Sequence, residues 1–287
     1  MSRPSPQADA LSITVEAFYK FRDFFYTKTG IFFDDGKRYF VDRRLIERMQ
    51  ARNTTDFNEY FAWLRFETGG EEFQILVNLM TTNETYFFRE EYQFKSLVDS
   101  ILPELMQDRP QRPLRIWSVP GASGEEPYSI AIYLLEFWAE VDKHEIELLA
   151  SDIDTRMLQQ AQSGVYGPRA VQYLPPHLLE KYFDRLPNGD FHISEDLRGS
   201  VNFSTVNIID PVQTQAFREL DIIFCRNLLI YFDDVSRREA AEMFYEALRP
   251  GGFICLGHSE SMSRISPLFT ARRFPDGIVY QKPGRSL

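Results

Sequence analysis

The sequence predicts an α/β protein: a Rossmann-like, mostly parallel sheet with helices on both faces, a terminal antiparallel hairpin and a preceding all-helical domain. Three observations carry this. Up to about residue 80, apolar residues recur three and four positions apart; beyond about residue 113, short apolar runs alternate with amphipathic segments; and the last two apolar runs flank Pro275-Asp276-Gly277. Spacing of three and four lays apolar side chains along one helical face. Alternating strands and helices imply crossover connections and hence parallel strands. Pro-Asp-Gly is turn chemistry, which brings its flanking strands back antiparallel.

The helical domain spans residues 11–80. Val15, Phe18, Phe21 and Phe25 mark one apolar face, Val41, Leu45 and Met49 a second, and Tyr60, Trp63 and Leu64 a third. Asp56 is placed to cap the helix after it, and Gly30 and Gly69-Gly70 are breaks. The second helix carries Lys37, Arg38, Arg43, Arg44, Arg48 and Arg52 against Asp42 and Glu47. Arg44, Arg48 and Arg52, at successive i+4 positions, form one ridge. A solvated face and a docking face for an acidic partner both fit that ridge. Residues 81–112 read as a linker ending in the polar, proline-bearing stretch Gln107–Pro113.

From residue 113 the predicted strands are Leu114–Ser118, Ile146–Ser151, Val201–Ser204, Ile222–Cys225 and Phe253–Leu256, then Phe269–Phe274 and Ile278–Gln281 as the hairpin. Helices are expected over Pro127–Val141 and Val235–Leu248. Between 178 and 206, runs at Lys181–Phe183, Phe191–Ile193 and Val201–Phe203 around Pro187-Asn188-Gly189 predict a small antiparallel β insert.

Composition narrows the function classes. The chain has 287 residues, 44% hydrophobic, with a formal net charge of −10. That charge argues against sequence-independent nucleic-acid binding, which needs broad positive potential. Cys225 and Cys255 each sit in an apolar run and fit a reducing, cytoplasmic setting better than a disulfide framework. No apolar run approaches the roughly 20 residues that span a bilayer. Residues 1–10 lack a signal-peptide core and read as a disordered tail. The four histidines are scattered and predict no metal site.

Ligands of a doubly wound sheet bind at the carboxyl ends of its strands. The first strand ends in Ser118-Val119-Pro120-Gly121-Ala122-Ser123-Gly124-Glu125-Glu126-Pro127, whose small residues allow close backbone approach. This is not the dinucleotide pattern, and Glu125-Glu126 would repel a pyrophosphate. Carboxylates there suit a cationic sulfonium or an ammonium, or simply complement a helix dipole. Asp152, at the end of the second strand, is placed to accept ribose hydroxyls. It lies 31 residues after Gly121, against about 20 in dinucleotide folds, so the intervening helix is longer. Asp154 is read as a helix cap.

Five motifs occur in order: Asn83-Glu84-Thr85-Tyr86-Phe87-Phe88-Arg89-Glu90, Ser123–Ala131, Ala150-Ser151-Asp152-Ile153-Asp154, Phe224-Cys225-Arg226-Asn227-Leu228-Leu229-Ile230-Tyr231-Phe232 and Gly257-His258-Ser259-Glu260. In these the chain resembles the chemotaxis receptor glutamate methyltransferase (CheR-type) family, from the helical domain to the hairpin. Val119-Pro120 departs from the pair of small residues common there. The resemblance implies a class I S-adenosylmethionine-dependent methyltransferase fold and a glutamyl methyl ester product alongside S-adenosylhomocysteine. It implies cofactor contacts at Asn83, Thr85, Arg89, Glu126, Asp152, Asn207, Ile208, Arg226 and Asn227, and catalytic roles for Arg89 and Tyr231. It further implies that the helical domain docks on the cytoplasmic helical domain of methyl-accepting chemoreceptors through Arg44, Arg48 and Arg52. The short insert loop predicts recognition without a receptor tether peptide, and a monomer is the default. A catalytically silent S-adenosylmethionine-binding signalling adaptor is the alternative. Gly257–Ser261 lacks the last glycine of a hydrolase nucleophile elbow and is read as structural.

Overall fold

The computed structural model describes residues 12–107 and 112–284. The tail read over residues 1–10, and residues 108–111 of the polar loop, lie outside the described residues. The chain divides into two compact units between Thr81 and Thr82.

The first unit holds α1 (Val15–Thr29), α2 (Arg38–Ala51), α3 (Phe57–Phe66) and α4 (Glu71–Met80). Thr14 caps α1 by accepting from the Ala17 N–H, and Gly30 ends it in the left-handed conformation that only glycine adopts without strain. Asp56 caps α3. Phe18, Phe21, Phe25, Val41, Leu45, Met49, Tyr60 and Leu64 are buried between the helices.

The arginine ridge on α2 is not a free charged face. Arg48 donates from Nε and Nη2 to the two oxygens of Glu72, at 2.8 Å each. The Tyr60 hydroxyl donates to the same carboxylate at 2.7 Å. Burial pushes the Glu72 carboxyl up, but the Arg48 and Tyr60 bonds outweigh it and hold the group below its ordinary range. Arg44 lies over the Phe40 ring and donates to the Leu79 carbonyl. The Arg52 guanidinium sits 3.4 Å from the centroid of the Trp63 ring. A helical wheel places these arginines together; tertiary packing then gives each a partner inside its own unit.

Among the described residues, seven strands of the second unit form one sheet in the order β6-β2-β1-β7-β8-β10-β9. They are β1 (Leu114–Ser118), β2 (Ile146–Asp152), β6 (Val201–Thr205), β7 (Leu220–Cys225), β8 (Leu248–Leu256), β9 (Thr270–Phe274) and β10 (Gly277–Gln281). The first five are parallel, and β10 pairs antiparallel with β8 and β9. The run of β7 is buried at every position, as a sheet covered on both faces requires. The first crossover helix is Glu125–Phe137, shorter at its end than the predicted Val141.

Two readings are corrected. Within the segment 81–112, read as a linker carrying the first of the five motifs, lie α5 (Tyr92–Ser96) and α6 (Leu102–Met106), joined by a wider turn over Leu97–Ile101. Phe87, Phe88, Phe94, Leu97, Ile101 and Leu102 enter the same core as β1 and β7. Burial of so many large apolar groups stabilises this segment as part of the sheet unit. The small antiparallel sheet, in turn, is β3 (Val165–Tyr166), β5 (Phe191–Ile193) and β4 (Phe183–Arg185), in that order. Val201–Phe203 belongs instead to the main sheet, where Val201–Thr205 pairs in register with Leu148–Asp152.

Candidate active site

The strand order reverses between β1 and β7, so the chain diverges beyond their carboxyl ends and leaves a crevice there. A cleft at this point is lined by Pro120 and Ala122 after β1, by Arg226, Asn227, Ile230 and Tyr231 after β7, by Glu126, and by Thr82–Tyr86, Arg89 and Phe94. All belong to the second unit.

Arg226 organises the floor. Its side chain is 2% exposed and donates from Nη1 to Glu126 at 2.8 Å, with Glu90 3.3 Å from Nη2. Nη2 also donates to the Arg89 carbonyl. Burial pushes the Glu126 carboxyl up, partly offset by Arg226 and by the Ser118 hydroxyl that donates to it. Burial also raises Glu90, but Arg226 and the bonds from His258 and Tyr92 prevail and hold it down. Glu90 reaches His258 Nδ1 at 2.9 Å.

Arg89 is half-buried; its Nη1 donates to the Glu84 carbonyl at 2.6 Å. Tyr231 is 37% exposed. Burial raises its phenol, and the Arg89 charge pulls it part of the way back, so the hydroxyl stays protonated at neutral pH and available as a donor. Phe88, Glu90, Ala122 and Asn227 all hold left-handed backbone, with φ of 61°, 55°, 44° and 58°. For Phe88, Glu90 and Ala122 each costs about 1 kcal/mol or more, whereas asparagine enters this region readily, and such strain concentrates at functional sites.

The cleft brings together Asn83, Thr85, Arg89, Glu126, Arg226, Asn227 and Tyr231. Asp152, Asn207 and Ile208 do not line it. Asp152 ends β2 and is buried, its two oxygens accepting from the Asp154 N–H at 2.8 Å and the Ala122 N–H at 2.9 Å. Burial pushes its pKa up to about 6. Asn207 and Ile208 follow β6, next to Asp152, whose carbonyl accepts from the Val206 N–H at 3.0 Å. Asp154 caps the helix Thr155–Ser163 and also accepts from Asn83 Nδ2 at 2.9 Å. Glu125 turns away from the cleft and accepts from the Ser123 hydroxyl. Of the acidic pair, only Glu126 lines the cleft.

Residue-level reading left out Glu90 and Glu260, although both stand inside quoted motifs. Their signal was a carboxylate flanking a site with buried cationic and backbone donors, and only the folded chain joins those segments.

The lining fits a cationic, nucleoside-bearing ligand. Glu126 offers negative charge, Phe94, Pro120 and Ala122 an apolar wall, and Asn83, Thr85 and Asn227 hydrogen bonds. The loop itself leaves no space for larger residues: a Cβ on Gly124, at φ 96°, would sit 2.8 Å from the Tyr166 hydroxyl. Fold and cleft together define a class I S-adenosylmethionine-dependent methyltransferase.

Comparison with known proteins agrees and goes further. Residues 83–277 match the family described as CheR methyltransferase, SAM binding domain, and residues 16–81 that described as CheR methyltransferase, all-alpha domain. Chemotaxis protein methyltransferase 2 of Vibrio cholerae serotype O1 is 51% identical, covering 94% of each chain. Chemotaxis protein methyltransferase of Escherichia coli K12 is 34% identical, over 92% of this chain and 91% of that one. The chain belongs to the CheR family of chemotaxis methyltransferases, and its cofactor is S-adenosylmethionine. No helix among the described residues is long and apolar enough to cross a membrane.

Proposed function

We propose that this chain transfers the methyl group of S-adenosylmethionine to glutamate side chains of bacterial chemoreceptors in the cytoplasm, giving methyl esters and S-adenosylhomocysteine. The observation that carries this is a single cleft holding Arg89 and Tyr231 together with the Glu126–Arg226 pair. Bound there, the cofactor supplies a methyl group made electrophilic by its positively charged sulfur. Asn83, Thr85, Arg89, Glu126, Arg226 and Asn227 would hold it, with Asp152 and the Asn207-Ile208 step at the adjoining strand ends.

A glutamate carboxylate has an ordinary pKa near 4.3, so it arrives ionised and needs no general base. Arg89 draws that carboxylate in through charge-assisted hydrogen bonds. Its bond to the Glu84 carbonyl keeps part of the guanidinium occupied, so it orients the nucleophile without clamping it. Tyr231 donates a hydrogen bond beside the reacting carboxylate. Arg226 works one step back, setting Glu126 and the Arg89 backbone. The gain lies in placement, which is worth several kcal/mol when reacting atoms are held in line.

The helical unit is the proposed receptor-docking element. Arg44 and Arg48 are already engaged, so the charge offered to an acidic helical bundle comes chiefly from exposed Arg43 on α2 and from Arg52 just after it, which lies over Trp63 with its charge still exposed. Residues 186–190, the short β4–β5 connection, support recognition without a tether peptide, and the protein is taken to act as a monomer. Incubation with methyl-labelled S-adenosylmethionine and receptor cytoplasmic fragments should place base-labile label on receptor glutamates. Absence of such label, with S-adenosylhomocysteine still bound, would favour a silent adaptor.

A further inference from the structure

We infer that Glu260 is a positioning residue of the methyl-transfer site: its carboxylate caps, from a distant loop, the turn that presents Asn227 and Tyr231. Leu229–Tyr231 is a short 3-10 turn preceded by Leu228, which has no side chain able to cap it. The first N–H groups of such a turn lack partners within it and need acceptors from elsewhere. Glu260 provides them. Oε1 accepts from the Leu229 N–H at 2.8 Å, and Oε2 accepts from the Asn227 N–H at 2.8 Å. The Ile230 N–H adds to the same field. Oε2 also accepts from the Gly257 N–H at 2.9 Å, which fixes the carboxylate to its own loop.

A second observation shows how closely the two loops must meet. A Cβ on Gly257 would lie 2.9 Å from both Asn227 Nδ2 and Glu260 Oε2, and 3.1 Å from the Asn227 N. Glycine at 257 is what lets the end of β8 approach the end of β7. Asn227 lies at this meeting point with φ 58°, a left-handed conformation that asparagine adopts more readily than other residues with a side chain. Segments 31 and 33 residues apart therefore share one carboxylate, and the loop is pinned at the Asn227 and Leu229 amides.

This rests on the reading of Tyr231 given above, and the experiment keeps the two apart. Glu260→Gln preserves shape but replaces one acceptor oxygen with a donor facing an N–H. It should lower kcat for receptor methylation by about tenfold, as much as Tyr231→Phe itself, because it acts through the placement of Tyr231, with little change in KM for receptor. Combined with Tyr231→Phe, it should add almost nothing to the loss from Tyr231→Phe alone, because residues acting as one unit are not additive. Wild-type kcat in Glu260→Gln, a lowered unfolding midpoint with unchanged kcat, or losses that multiply would each overturn the inference. If Glu260→Gln does not fold, Gly257→Ala displaces the same carboxylate and enters the same cycle. If wild type transfers no methyl, that rejects the proposed function. The cycle is then read on S-adenosylhomocysteine affinity with Asn227→Ala in place of Tyr231→Phe, and additivity there overturns the role of Glu260.

Discussion

Asp152 sets a stability cost against the ribose-binding role proposed for it, and Asp152→Asn should separate them. The acid is 3% exposed, and burial moves its pKa from 3.8 to about 6. At about 1.4 kcal/mol per pKa unit, that shift is worth about 3 kcal/mol. Because the folded pKa lies above the unfolded one, the folded chain binds the proton more tightly. The contribution is therefore fully present below the unfolded pKa and is lost as pH rises through about 6. About 1.4 kcal/mol of the loss falls between roughly pH 5 and pH 8. The asparagine variant does not titrate, so urea unfolding should show its stability gaining on wild type by that amount over the interval. A pH-independent loss of about 1 kcal/mol, from replacing one acceptor oxygen with an amide NH2, shifts the whole comparison. Ligand binding should move the other way. Ribose hydroxyls donate best to the ionised form, so wild-type affinity for S-adenosylhomocysteine should fall about tenfold from roughly pH 8 to pH 5. Asp152→Asn should bind weakly at both. A stability difference that is flat with pH, or that grows in favour of wild type, would refute the reasoning.

Three further outcomes are expected. Tyr231→Phe should cut methyl transfer by about tenfold or more while calorimetry finds S-adenosylhomocysteine affinity unchanged, since it removes one hydrogen bond to the reacting group. Glu72→Ala strands Arg48 and the Tyr60 hydroxyl, and denaturation should show the helical unit about 3–5 kcal/mol less stable. In the wild-type chain that contribution is present above the ordinary glutamate pKa and lost as pH falls through the depressed folded value. Arg43→Glu with Arg52→Glu should raise KM for receptor severalfold, more at low salt, with cofactor affinity intact; loss of cofactor binding instead would argue against docking through α2.

Local sequence carried a good deal of this protein. Alternation placed the main-sheet strands, the Pro-Asp-Gly turn placed the hairpin, and Asp56 and Asp154 cap the helices that follow them. Those are short-range effects, decided by φ preferences and by donors a few residues away. The segment 82–107 was misjudged although Phe94, Leu97, Val98, Ile101 and Leu102 carry helical spacing, because polar residues and a proline at its end suggested a connection. The third strand of the small sheet escaped notice since Val165-Tyr166 is too short to show a period.

What the sequence by itself determined is which groups are available: the glycine-bearing loop after the first strand, the acidic pair and the Arg-Asn step. Tertiary structure alone decided which of them meet. It turned Glu125 inward and Glu126 toward the cleft, tied Arg48 to Glu72, and brought Glu260 to the turn before Tyr231. The physical reason is that a buried charge is stable only with partners: Glu125 finds one two residues away, but those of Arg48, Arg226 and Glu260 come from segments 24 to 137 residues away, a distance over which no local pattern carries information.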